Sequence, residues 1–215
     1  MYVPAHFRID DRDELFRIAA RRSAGTLVVA APGGLEASLL PWLVDAEPPG
    51  RLRGHCARAN PIAGIAREGA TALVLFDVAD GYVSPSWYPS KAEHHRAVPT
   101  WNYVTVQVRG RLRRIDDPRW LGDHVRDLTD RHEREMPVPW SVSDAPPEWI
   151  DTLLRGIVGL EIEVERIEGK AKLGQNRGVA DVEGILSGLE GRPNPDRLAA
   201  ETRARALPAA RGKSR

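Results

Sequence analysis

The strictest constraint in the chain is a period of two. Across residues 103–112, Val104, Val106, Val108 and Leu112 fall on one face, while Tyr103, Thr105, Gln107, Arg109 and Arg111 fall on the other. Side chains alternate in this way only in an extended strand. Leu160, Ile162 and Val164 alternate with Glu161, Glu163 and Glu165 to the same effect. Each segment asks for one buried face and one polar face, so the chain must build a sheet that is covered on one side. Further strands are read at residues 26–31 and 35–44, joined as a hairpin by Pro32, Gly33 and Gly34, and at 52–57 and 71–76.

Helical signals interrupt this sheet. Asp10 or Asp11 can cap a helix carrying Leu15, Phe16, Ile18 and Ala19, and Asn60 followed by Pro61 has the residue preferences of a helix start. Asp117-Pro118 opens a third helix through Trp120, Leu121, Val125 and Leu128, and a fourth is read at 148–157. Six or seven strands without regular strand-helix alternation are satisfied most economically by closure into a small barrel. The fold expectation is therefore mainly β with peripheral helices, one domain over residues 1–190, and a basic, flexible tail over 191–215. From Pro193 onward the tail carries six Lys or Arg against two acidic residues, with almost no large apolar side chains.

A formal net charge of +1 gives no general field for gathering nucleic acid. Cys56 is the single cysteine, which excludes an intrachain disulfide framework and points to a reducing compartment. The start, MYVPAHFRIDDRDELF, places Pro4 and four acidic residues where an export signal needs a basic segment and an apolar run. No stretch approaches the roughly 20 apolar residues of a membrane span. A soluble, cytoplasmic protein without a membrane partner is the expectation.

Four clusters combine basic, polar and aromatic residues next to strand ends: HCARANP from His55, YVSPSWYPSK from Tyr82, VPTWNY from Val98 and GKAKLGQNR from Gly169. Arg58 and Lys91 suit a phosphate, with Ser86 and Ser90 adding neutral hydrogen bonds. Trp87, Tyr88 and Trp101 offer flat apolar faces, and Asn102, Gln175 and Asn176 offer amide donors and acceptors to a heterocycle edge. Together they describe a ligand that is anionic at one end and flat at the other. The plain alternatives are surface cations for Arg58 and Lys91, packing for the aromatics, a structural histidine at His55 and a helix cap at Asn60. Catalytic residues are not legible: the glycine-rich phosphate motifs and the GxSxG serine motif are absent, and the histidines lack metal-ligand spacing. Nor is a helix-turn-helix DNA reader present in the pattern.

MYVPAHF, GHCARANP, YVSPSWYPSK, VPTWNY, DAPPEWI and GKAKLGQNR, in this order, resemble the successive signatures of the PaiB-type family of FMN-binding negative transcriptional regulators. The resemblance runs to about Leu189. It implies a split β-barrel related to the pyridoxamine-phosphate-oxidase-like flavoproteins, FMN as cofactor, and a homodimer with the flavin at the subunit interface. By analogy it nominates His55, Arg58, Asn60, Ser86, Lys91, Trp101, Asn102, Lys172, Gln175, Asn176 and Arg177 as cofactor-binding residues. Ser38, Gln107 and Gly174 depart from the family pattern, which puts polar contacts near the cofactor in question. A flavin-dependent regulator is the first functional expectation. A flavin oxidoreductase and a haem-handling barrel with His55 or His94 at the iron are the alternatives.

Overall fold

The computed structural model describes residues 1–48, 50–66, 69–190, 192 and 196–213. In chain order the elements are β1 (Arg8–Ile9), α1 (Arg12–Arg22), β2 (Ala24–Ala31), β3 (Gly34–Asp45), β4 (Arg51–Ala57), α2 (Pro61–Ile65), β5 (Ala70–Val83), α3 (Ser90–His94), β6 (Thr100–Ile115), α4 (Pro118–Glu133), α5 (Pro147–Arg155), β7 (Ile157–Lys172), α6 (Val179–Glu190), α7 (Asp196–Glu201) and α8 (Leu207–Lys213). The chain divides into two compact units. The first comprises Met1–Leu15, Asp77–Val106 and Glu168–Arg215, and the second Phe16–Phe76 and Gln107–Ile167. β5, β6 and β7 run through both, each longer than the alternation alone delimits.

In the second unit the strands follow the order β7-β4-β3-β2-β5-β6, and β6 also pairs with β7. Gly110 of β6 lies against the backbone of Glu163 of β7, too close for any side chain. The six strands therefore close on themselves, which removes free sheet edges and leaves an interior for the apolar face. Leu27, Val29, Trp42, Leu52, Val74, Phe76, Val108, Leu112, Leu160 and Ile162 fill that interior and are almost fully buried. Trp42 donates its indole N–H to the carbonyl of Gly25 at 3.2 Å, so its one polar atom is satisfied in the core. Its ring occupies the space a Cβ on Gly54, its cross-strand partner, would need. The glycine of the GHCARANP segment is thus a seat for a tryptophan.

The outer face of the same barrel is less ordinary. Leu35, Ala37 and Leu39 on β3 stand opposite Ala30, Val28 and Thr26 on β2, and Val28 and Thr26 in turn face Leu73 and Leu75 on β5. Leu35 is 76% and Leu39 65% exposed. The outer face of these three strands is thus mostly apolar, while Glu36 and Ser38 of β3 stand opposite Val29 and Leu27 on the other face.

In the first unit β1 pairs with the end of β7, Ile9 opposite Gly169. α6 buries Val182, Ile185, Leu186 and Leu189, and Gly184 and Gly188 of α6 make room for Trp87, which packs on the helix rather than standing free as a ligand platform. The C-terminal segment corrects the expectation of a flexible tail. α7, a wide π turn over Thr202–Ala206 and α8 bury Leu198, Ala199, Thr202, Ala206 and Ala210, and Arg205 bridges Glu14 at 2.7 Å and Glu201 at 2.8 Å. Small residues at helical spacing supply a core face that a search for large apolar side chains misses. Gly191, Pro193, Asn194, Pro195, Ser214 and Arg215 of that expected tail lie outside the described residues. Among the described residues no helix is long and apolar enough to cross a membrane.

Candidate functional site

In the first unit, the start of β6 and the end of β7 bring three of the nominated residues together. Lys172 donates its ammonium to the hydroxyl of Thr100 at 2.5 Å and to the carbonyl of Trp101 at 2.9 Å. Trp101 is half exposed, anchored by its indole N–H to Asp80 at 3.0 Å, with Tyr82 edge-on at 6.4 Å. Asn102 is 2% exposed, and its side-chain amide nitrogen has no hydrogen-bond partner. A buried N–H without an acceptor is rare and costs free energy unless something outside the chain satisfies it.

A second group in this unit gathers around α3 and α6. Arg177 stacks its guanidinium on Tyr88 at 4.4 Å. Burial pushes the Tyr88 phenol up, against the pull of Arg177. Ser86 shares a hydrogen bond with Ser84 at 2.7 Å, and Ser90 donates to Asp181 at 2.7 Å. Lys91 is exposed on α3 and Asn176 is exposed in the loop after β7. Gln175 staples that loop, accepting from the Leu173 N–H at 2.9 Å and donating to the Ala171 carbonyl at 2.5 Å. Gly174, where the family pattern differs, has φ +92, a conformation that favours glycine.

The three nominated residues of the second unit have structural partners. Arg58 donates Nε to the Arg155 carbonyl at 3.0 Å, one terminal nitrogen to Asp116 at 2.9 Å and the other to the Ile157 carbonyl at 3.0 Å. Arg114 joins the same carboxylate at 2.6 Å, and hydrogen bonds from the two arginines, Arg114 foremost, hold Asp116 below its ordinary pKa. Asn60 caps α2 by accepting from the Ile62 N–H at 2.9 Å, and donates to Ser38 at 3.0 Å. Ser38, the second departure from the family pattern, thus holds the cap in place, while Gln107, the third, accepts from Arg109 at 3.3 Å.

His55 has a partner that the sequence reading does not single out. Its Nδ1 lies 3.1 Å from Nε2 of His124 on α4. His124 is fully buried and stacked on Trp120, with ring centroids 5.1 Å and planes 18° apart, and its Nδ1 has no partner. Burial pushes both imidazoles down, His124 to about 4, helped by the nearby His55 and Arg53. One α4 turn further on, Asp127 accepts from Arg53 at 2.9 Å. His124 follows Trp120 by four residues and precedes Asp127 by three, a stripe visible in the sequence only once α4 is known to dock on β4. Cys56 is buried, and burial pushes its thiol up, which disfavours the reactive thiolate. Among the described residues no three His, Cys, Asp or Glu side chains are grouped to hold a metal ion.

The barrel has solved counterparts. The FAD and heme binding protein of Mycobacterium smegmatis superposes with a TM-score of 0.59 at 16% identity, covering 78% of this chain and 74% of that one. This likeness defines the class of the fold, a split β-barrel. The family model described as "Putative FMN-binding domain" matches residues 1–166. The Bacillus subtilis "Protease synthase and sporulation protein PAI 2" is 30% identical, covering 91% of this chain and 92% of its own length, and the Emericella nidulans protein AN0679 is 32% identical over 73% of this chain and 75% of its own. The chain belongs to this FMN-binding domain family and is a PaiB-type protein, with FMN as its cofactor. The residues of the first unit fit such a ligand: a buried amide N–H awaiting an acceptor, an exposed indole face and an anchored ammonium stand on adjacent strand ends.

Proposed function

We propose that this PaiB-type protein is a cytoplasmic, homodimeric regulator whose state depends on FMN, with Trp101, Asn102 and Lys172 holding the flavin. The observation that carries the reading is the unpartnered, buried amide of Asn102 beside the exposed Trp101. Asn102 donates to an acceptor on the heterocycle, Trp101 covers an apolar face, and Lys172 sets a positive charge by the ligand. Lys91, Ser86, Asn176 and Arg177 are the polar groups of the same unit available to the phosphate and ribityl chain. Arg58 and Asn60 are committed to the chain itself, and His55 to the pair it makes with His124. FMN, when bound, supplies hydride or electron transfer. The resemblance to the PaiB-type family supports the regulatory role, and the exposed apolar outer face of β3, β2 and β5 supports the dimer.

Fluorescence titration of FMN tests the site. The wild-type chain binds and quenches the flavin, and Asn102→Ala binds about five-fold more weakly, the ~1 kcal/mol of a neutral hydrogen bond. Equal affinity in both proteins removes Asn102 from the site, and absence of binding removes the site. The solved counterpart that binds heme favours one second reading, a haem-handling barrel. A Soret band in the purified protein, in place of a flavin spectrum, selects it.

A further inference from the structure

Trp101 stands half in water, yet its ring is not free to turn. Asp80 and Tyr82 belong to β5, the strand next to β6 in the sheet, and being two residues apart they lie on one face of it. Both are exposed. Gly81 between them faces the other way: a Cβ there would lie 2.8 Å from Leu198 of α7, so that side of β5 is packed. From the open side Asp80 accepts the indole N–H of Trp101 at 3.0 Å, and the Tyr82 ring meets the indole edge-on, with planes 64° apart. The hydrogen bond fixes where the ring edge points, and the aromatic contact fixes its plane. A carboxylate acceptor makes that bond one of the stronger kind. The main chain is tied as well, since the Trp101 carbonyl accepts from Lys172 at 2.9 Å. Held in this way, the residue still leaves 51% of its surface exposed.

We propose that Asp80 is a positioning residue: by holding the indole N–H it presets Trp101 as a stacking face for the flavin. The role rests on the reading of Trp101 as a flavin contact. An unanchored, exposed tryptophan samples several rotamers, and a ligand that stacks on it must order the ring first. With the ring already held, that cost is absent when the ligand arrives. The tie also decides what kind of recognition Trp101 gives. Its one polar atom is occupied, so it offers a flat apolar face and no hydrogen bond. It therefore selects for a planar ring system and leaves the acceptor atoms of the heterocycle to the amide of Asn102. Were the tie only a staple between β5 and β6, its loss would cost stability and leave flavin affinity alone.

Indole nitrogen-proton spectra of the full-length protein at pH 7.5, without FMN, read the anchor directly; the Trp101 signal is the one missing from Trp101→Phe. Asp80→Ala should speed exchange of that N–H with water several-fold, and Asp80→Asn, whose side-chain carbonyl still accepts, should keep it slow. In FMN titrations Asp80→Ala should bind several-fold more weakly with less quenching, and asparagine should recover both. In a Trp101→Phe background, where a flat ring remains but the N–H is gone, Asp80→Ala should add nothing. An indole exchange rate indifferent to Asp80→Ala overturns the anchor. A released indole with unchanged FMN affinity, or an equal loss in the phenylalanine background, overturns the positioning role. Wild-type FMN affinity in Trp101→Ala is a failure of the flavin reading itself, and takes the positioning role with it.

Discussion

Arg58 illustrates how one residue type suits two roles. A guanidinium beside a strand end is chemically suited to phosphate, but here it joins the end of β4 to Asp116 and to the carbonyls of Arg155 and Ile157. We expect Arg58→Ala to cost about 1–2 kcal/mol of stability, the scale of a few partly exposed hydrogen bonds, with little change in flavin affinity. Urea unfolding and FMN titration of the same variant check both, and a large affinity loss at unchanged stability returns Arg58 to the phosphate. His124 makes a second prediction at this scale. Its folded pKa is depressed to about 4 while the unfolded value is near 6.5. Between those values the unfolded chain binds more protons, so the stability is whole above about pH 6.5 and is lost as pH falls toward 4. Linkage sets the loss at roughly 2–3 kcal/mol. The gap between denaturant midpoints at pH 7.5 and 4.5 should narrow in His124→Phe, and an undiminished acid loss in that variant contradicts the assignment.

At the scale of elements, legibility followed periodicity. β6 and β7 were readable because branched and aliphatic residues alternate with charge over many positions, and α2 and α4 because Asn60-Pro61 and Asp117-Pro118 are cap chemistry that acts locally. α7 and α8 were not, because their buried stripe consists of one leucine with alanines and a threonine, whose apolar signal is faint beside six basic residues. The candidate site divides the same way. Residue types for Trp101, Asn102 and Lys172 were legible, whereas the His55–His124 pair depends on how α4 docks, information that no local pattern holds. Truncation after Gly191 should therefore lower stability by at least about 2 kcal/mol, the worth of burying one leucine, since Leu198 and its neighbours leave the core of the first unit. A truncated chain with an unchanged melting temperature contradicts this packing. Gly54→Ala, which drives a methyl into the Trp42 ring, should cost about 1–3 kcal/mol in urea unfolding, and a neutral result shows that the ring can move aside.

For the whole molecule, the proposed dimer rests on the exposed apolar outer face of β3, β2 and β5. An exposed apolar patch of this kind calls for a cover, and an isologous contact between two copies is the commonest way to supply one in a homo-oligomer. Leu39→Glu, on that face and away from the core, should yield a folded monomer, seen as a halved mass in light scattering. The most direct test of the account is sedimentation of the FMN-saturated wild-type protein, followed at once by protein absorbance and by the visible flavin band. A flavin-loaded dimer predicts one boundary in both signals, at twice the 23.8 kDa of a single chain, carrying one flavin per chain. A boundary at the mass of one chain, or a protein boundary from which the flavin signal separates, contradicts it.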